Sequence, residues 1–263
     1  MMEVWYPSHI EKAKRAIKSL IKLVSGIIEI VDARAPMATR PLDIEPYFKD
    51  KKRLIFLNKA DLAEDAVTRR WVEKFSKECQ TLAGSIKQMP NIQEIFMPFR
   101  SDHEVNILIV GMPNVGKSTL VNMVKKKRAT AIGDKPGVTR SVQWIRIDDK
   151  MKLLDTPGIT YPKISNETLY AKLGLCNVID VEQVDFEALV YYELDLLSKI
   201  KPELIEKIGE GDSIVKRIES YGMQRGFILK GGVLDMNRTL LTLHREITHE
   251  KFGKISYEFP EDF

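Results

Sequence analysis

The stretch from Val105 to Thr119 constrains this chain more than any other. An apolar run, Val105 to Val110, opens into Gly111-Met112-Pro113-Asn114-Val115-Gly116-Lys117-Ser118 and then Thr119. The pattern predicts a buried strand ending at Val110, a glycine-bounded turn, and a helix beginning near Lys117. Backbone N–H groups and a helix N-terminus then face one concavity, which suits a polyphosphate. Asn114, Val115, Gly116, Lys117, Ser118 and Thr119 are the expected lining. Lys117 should reach the β- and γ-phosphates and Ser118 a Mg²⁺ ion, while Gly111 and Gly116 permit torsions and close approaches that a Cβ forbids.

A second motif lies upstream. Arg53 to Leu57 reads as a buried strand that ends in Asn58-Lys59-Ala60-Asp61. In N-K-x-D the Asp61 carboxylate can accept hydrogen bonds from N1–H and the 2-amino group of guanine, and adenine offers neither donor. Asn58 and Lys59 brace the loop, and Lys59 can lie against the base. The tetrad stands at the C-terminal end of a strand, where open α/β sheets bind ligands. It therefore favours GTP or GDP over ATP. Ala83-Gly84-Ser85 is the candidate for a serine-alanine-type loop touching the guanine oxygen.

Downstream of the phosphate loop, a helix from Ser118 to about Lys126 leads to Gly133-Asp134-Lys135-Pro136-Gly137-Val138-Thr139-Arg140. Thr139 is the natural switch threonine, its hydroxyl and carbonyl closing on Mg²⁺ and the γ-phosphate. A hairpin built from 141–147 and 152–154 turns around Asp148-Asp149-Lys150 and ends in Asp155-Thr156-Pro157-Gly158. Asp155 is expected to hold Mg²⁺ through water, and the Gly158 N–H to sense the γ-phosphate.

Elsewhere the pattern is that of core and connections. His9 to Val24 has an apolar stripe opposite its lysines, Ile27 to Asp32 suits a buried strand, a short helix is expected near Pro41, and Ala63 to Glu78 is helical. Beyond Pro162, stretches at 169–175, 186–200, 204–208, 214–221 and 240–247 predict helices. His244 and His249 are wrongly spaced for a shared helix face and read as surface or packing residues. Cys79 and Cys176 are too few for a zinc site and read as buried thiols.

Charge divides the chain as well. Residues 165–263 carry 12 Lys and Arg against 18 Asp and Glu, a net −6, leaving 29 against 19, a net +10, for residues 1–164. Lys12, Lys14, Arg15, Lys18 and Lys22 form one basic cluster and Lys125 to Arg128 another, suited to a polyanion or, more blandly, to a solvated helix face. No apolar run reaches the roughly 18 residues of a membrane span, and no secretory leader is visible, so a cytoplasmic protein is expected.

Order carries the fold. N-K-A-D precedes the phosphate loop, whereas in most GTPases it comes last. The strands of one doubly wound sheet are all present but cut at a different loop, which is physically permissible where old ends can be joined. The expected fold is therefore α/β, a circularly permuted doubly wound GTPase domain over 1–164 followed by a smaller, mostly α-helical domain over 165–263. In this order the D-T-P-G loop runs directly into the helical domain.

The chain resembles the circularly permuted YlqF-type GTPases, also called ribosome biogenesis GTPase A. The resemblance rests on Trp5-Tyr6-Pro7-Ser8-His9-Ile10, Asp32-Ala33-Arg34-Ala35-Pro36, N-K-A-D, G-M-P-N-V-G-K-S, P-G-V-T-R and D-T-P-G, in that order over nearly the whole chain. It implies a GTPase that assists assembly of the large ribosomal subunit, with a helical C-terminal domain contacting ribosomal RNA. Ser8 stands where the family usually carries glycine, and the acidic C-terminal domain shifts expected RNA attraction toward the basic N-terminal clusters. Ile159 follows Gly158 where small signalling GTPases place a water-orienting glutamine, and an aliphatic side chain cannot polarise water. The family implies His9 for that role, set against a histidine merely hydrogen-bonded near a helix N-terminus. Related GTPases with asparagine at position 114 bind K⁺ there, set against an Asn114 that only stabilises its loop. Basal turnover is expected at about 10⁻⁴ to 10⁻³ s⁻¹, accelerated by a partner. A monomer that binds neither DNA nor membrane is expected. The alternative is a nucleotide-gated ribosome-binding module whose hydrolysis is incidental.

Overall fold

The computed structural model describes residues 4–5, 15, 18–132, 143–155, 163–164, 166–249 and 251–263. Its centre is a six-stranded sheet ordered β4-β3-β2-β5-β7-β6. The strands are β2 (Gly26–Asp32), β3 (Lys52–Asn58), β4 (Gln80–Ala83), β5 (Val105–Val110), β6 (Gln143–Arg146) and β7 (Met151–Asp155). All neighbours run parallel except β6, which pairs antiparallel with β7. A separate two-stranded pair joins β1 (Val4–Trp5) to β8 (Lys163–Ile164). Following the sheet in chain order shows the permutation: the N-K-A-D strand β3 is laid down before the phosphate-loop strand β5, and β2 separates them in space.

Period-two side-chain placement explains why these central strands read as continuous apolar runs. On β2, Ile28 and Ile30 join one core while Ile27 and Val31 point to the opposite face. On β5, Ile107 and Ile109 share the first core and Leu108 and Val110 the opposite face. Helix α1 (Asp65–Phe75) covers one face through Val67, Trp71 and Phe75, and α2 (Lys117–Ile132) covers the other through Leu120, Val121 and Val124. Glu29 interrupts the apolar run of β2 and is 1% exposed, yet Arg40 Nε lies 3.0 Å from one carboxylate oxygen and Arg53 Nη2 2.7 Å from the other. A buried carboxylate is tolerated on such terms.

The segment expected as a short helix near Pro41 is a 3-10 helix, Leu42–Phe48, with Pro46 inside it. Proline supplies no N–H for the α-type ladder, which favours the tighter, shorter form.

Beyond β8 come α3 (Glu167–Leu175), α4 (Phe186–Ile200), α5 (Pro202–Ile208), α6 (Ile214–Gln224) and α7 (Met236–Thr248). Their starts are written locally. Asn166, Asp185, Ser213 and Asp235 each accept a hydrogen bond from the amide three residues on, and Pro202 opens α5. The helices' apolar residues join the sheet's larger core rather than forming an isolated one. His244 is buried on α7 with Nδ1 2.8 Å from Glu193 of α4, while His249 is exposed. Cys79 and Cys176 are free thiols.

The last nine residues return to the sheet. Ile255 N–H donates to Leu62 O, Tyr257 N–H to Arg34 O, and Trp71 Nε1–H to Glu258 O. Glu258, 2% exposed, accepts from the amides of Met37 and Ala38 and pairs with Lys172 of α3 at 3.1 Å. One carboxylate thus ties the 33–38 loop, the helical unit and the tail together. Among the described residues no helix is long and apolar enough to cross a membrane.

Candidate functional site

The C-terminal ends of β3 and β5 bring N-K-A-D and the phosphate loop side by side, through one side chain in particular. Asn58, 5% exposed, donates from Nδ2 to Val115 O at 2.7 Å and accepts at Oδ1 from the Ile86 N–H at 2.9 Å. It binds three loops into one. Gly116 has φ 116° and a Cβ there would stand 2.1 Å from Asn58 Nδ2, so glycine is required for both torsion and space. Gly111 is similarly constrained, since its Cβ would lie 2.4 Å from Ile30 O.

Lys117 opens α2 and is 6% exposed, with Nζ donating to Met112 O at 2.5 Å. Burial pulls its ammonium pKa down to about 8, only partly offset by the Asp155 carboxylate at the end of β7. A buried cation with so little negative charge around it is chemically matched to a phosphate. Ser118 and Thr119 follow in the first turn of the same helix. Asn114 sits at φ 58° and donates from Nδ2 to Asn177 O at 2.8 Å, which uses its amide nitrogen and leaves the carbonyl oxygen as an acceptor.

On the base side, Asp61 Oδ2 accepts from Gln88 Nε2 at 3.1 Å, while Asp61 Oδ1 is buried with no hydrogen-bond partner among the described residues. A buried carboxylate oxygen without a donor costs free energy unless a ligand supplies one. Lys59, at φ 59°, does not point freely into solvent: Nζ lies 2.8 Å from Asp32 Oδ2 and 3.5 Å from Cys176 O. Ala83-Gly84-Ser85 lies against N-K-A-D, with Ala60 N–H donating to Gly84 O and Gly84 N–H to Leu57 O.

Asp32 is fully buried, and burial alone would raise its pKa. The charges of Arg34 and Lys59 outweigh that and hold the carboxyl well below the usual range. Arg34, 2% exposed, grips Asp32 with Nε at 2.9 Å and Nη2 at 2.8 Å.

Asn58, Lys59, Asp61, Asn114, Val115, Gly116, Lys117, Ser118, Thr119 and Asp155 therefore converge at one end of the sheet. His9, Thr139 and Gly158 lie outside the described residues. Three participants carried no role in the sequence: Asp32 and Arg34, visible only within the Asp32-Ala33-Arg34-Ala35-Pro36 stretch, and Gln88, which nothing local marks.

The family described as 50S ribosome-binding GTPase matches residues 106–210. A protein named ribosome biogenesis GTPase A from Thermotoga maritima is 38% identical over 98% of this chain and 95% of its own length. Its namesake from Bacillus licheniformis is 36% identical over the full length of both. A crystal structure titled as GNP-bound YlqF from T. maritima is 33% identical, covers 96% of this chain and all of that one, and superposes with a TM-score of 0.75. A GDP-bound structure of the same protein gives 0.76. With near-complete mutual coverage at such identities, and with guanine-side and phosphate-side loops meeting on a permuted sheet, this chain belongs to the ribosome biogenesis GTPase A family and is a GTPase.

Proposed function

We propose that this chain hydrolyses GTP while assisting assembly of the large ribosomal subunit, and that its nucleotide state controls the helical unit. The observation that carries the nucleotide reading is the buried, unpartnered Asp61 Oδ1 on one loop together with the buried Lys117 on the loop that Asn58 joins to it. Asp61 accepts from guanine, the loop at Ala83–Ser85 meets the guanine oxygen, and the amides of 114–119 with Lys117 bind the phosphates. Ser118, Thr139 and Asp155 would hold Mg²⁺ through hard oxygen donors, and the ion would neutralise charge developing on the phosphates. Gly158 senses the γ-phosphate, His9 orients water, and the side-chain carbonyl oxygen of Asn114 would hold K⁺. The ribosomal reading is supported by the names of the relatives and by the matched family's description. On this reading the protein acts as a cytoplasmic monomer, and the basic clusters of the first 164 residues attract ribosomal RNA.

Co-sedimentation with large subunits under GDP or a non-hydrolysable GTP analogue tests it. About 5- to 150-fold tighter binding of the GTP form is expected, the range typical of allosteric coupling. Equal binding at matched salt would reject the gating. Turnover unchanged by added subunits would favour a binding module whose hydrolysis is incidental.

A further inference from the structure

The helical unit reaches the nucleotide loops directly. Helix α3 ends in Cys176 and Asn177, and Asn177 takes the left-handed conformation, φ 57°, that closes a helix C-terminus. Its N–H donates to Gly174 O at 2.7 Å and Val178 N–H to Leu173 O at 2.8 Å, which ties off the last turn. That leaves the Cys176 and Asn177 carbonyls facing outward at the negative end of a helix, where donors and cations are favoured. The donors they meet are Lys59 Nζ and Asn114 Nδ2, one from N-K-A-D and one from the phosphate loop. A second contact runs in parallel: Lys59 pairs with Asp32, Asp32 with Arg34, and Arg34 Nη1 donates to Thr248 O at 3.1 Å at the end of α7. Two helix C-termini of the helical unit thus converge on groups that shape the guanine side.

We propose that Asn177 and Asp32 are positioning residues for guanine-nucleotide binding: the seated Cys176-Asn177 turn fixes Lys59 and Asn114, and Asp32 fixes Lys59 from the sheet. This deepens the function proposed above and rests on its assignment of Lys59 and Asn114 to the nucleotide site. The contacts lie on the base and loop side, so the coupling answers to GDP as much as to GTP. It differs in that respect from sensing of the γ-phosphate. By reciprocity, nucleotide binding stabilises the turn as much as the turn stabilises nucleotide.

Asn177→Ala and Asn177→Gly separate positioning from side-chain loss. Both delete the side chain, but alanine resists the left-handed torsion and glycine accepts it. Asn177→Ala should weaken GDP and a non-hydrolysable GTP analogue equally, by about fivefold, the low end of typical coupling. Asn177→Gly should bind as the parent does. In an Asn114→Ala background the Asn177→Ala effect should shrink, since contacting residues are non-additive. Amide exchange on the unaltered protein is the second measurement: GDP should slow exchange at Asn177 and Val178. A folded Asn177→Ala protein with parental GDP affinity, or exchange at those amides indifferent to GDP, overturns the proposal. Asp61→Asn in the same assays separates the two levels, because undiminished GDP affinity there would instead reject the nucleotide-site reading itself.

Discussion

Lys59 and Lys117 lie in adjoining loops of one site and are treated oppositely by the chain. Lys59 has its charge met from within: Asp32 stands 2.8 Å away, itself held by Arg34. Lys117 is more deeply buried, donates to a neutral carbonyl, and has its pKa drawn down to about 8. The lysine of the guanine side is thus neutralised within the protein, whereas the lysine of the phosphate side acquires its counter-charge from the ligand. Such a division makes the base side a rigid reader and the phosphate side the place where nucleotide charge does most to stabilise the fold.

The strongest way to break this comparison is at Lys117. Lys117→Ala should lower turnover by about 100- to 1000-fold, as loss of one preorganised stabilising group does elsewhere. Steady-state phosphate release measures it, and a loss under tenfold would make the ammonium incidental. Glu258→Ala probes the support behind the guanine side, since it strips Lys172 and the amides of Met37 and Ala38 of a buried acceptor. A loss of about 3 kcal/mol in urea unfolding is expected. A loss below about 1 kcal/mol would show that the tail is not a fastening. Asp61→Asn should cost GTP about 100-fold in affinity while favouring xanthosine triphosphate, and unchanged GTP affinity would remove the base reader altogether. The smallest effect concerns K⁺. Turnover should be a few-fold higher in K⁺ than in Na⁺, and Asn114→Ala should abolish the difference; equal rates in the two salts would leave Asn114 as a loop brace.

The two sides also differ in how far the sequence discloses them. N-K-A-D and the phosphate loop were legible because their residues are contiguous and each follows an apolar strand. The helices beyond Pro162 were legible from their apolar spacing, with α4 predicted at its observed limits, Phe186–Ile200. What supports the loops was not legible. Gln88 reaches Asp61 across 27 positions, Asn177 reaches Asn114 across 63, and Glu258 reaches Met37 across 221. No local periodicity records such a contact. The edge strand β4 was obscure because it is four residues long and half solvated, so neither length nor alternation marks it.

Stability rises with pH on both sides, but in separate windows and for different reasons. Asp32, whose pKa is depressed by folding, contributes stability that is complete above its ordinary value of 3.8 and is lost on acidification. Lys117, whose pKa is lowered from 10.5 to about 8, penalises the fold below that lower value and releases the penalty as pH rises between the two. Bound phosphate should restore the ammonium, so nucleotide binding in that window must take up a proton. Calorimetric titration of GDP near pH 9, in buffers of different ionisation enthalpy, measures the uptake directly. About one proton per nucleotide is predicted for the parent protein, falling close to zero in Lys117→Met. Binding without proton uptake in the parent would contradict the claim that the phosphate side is completed by its ligand.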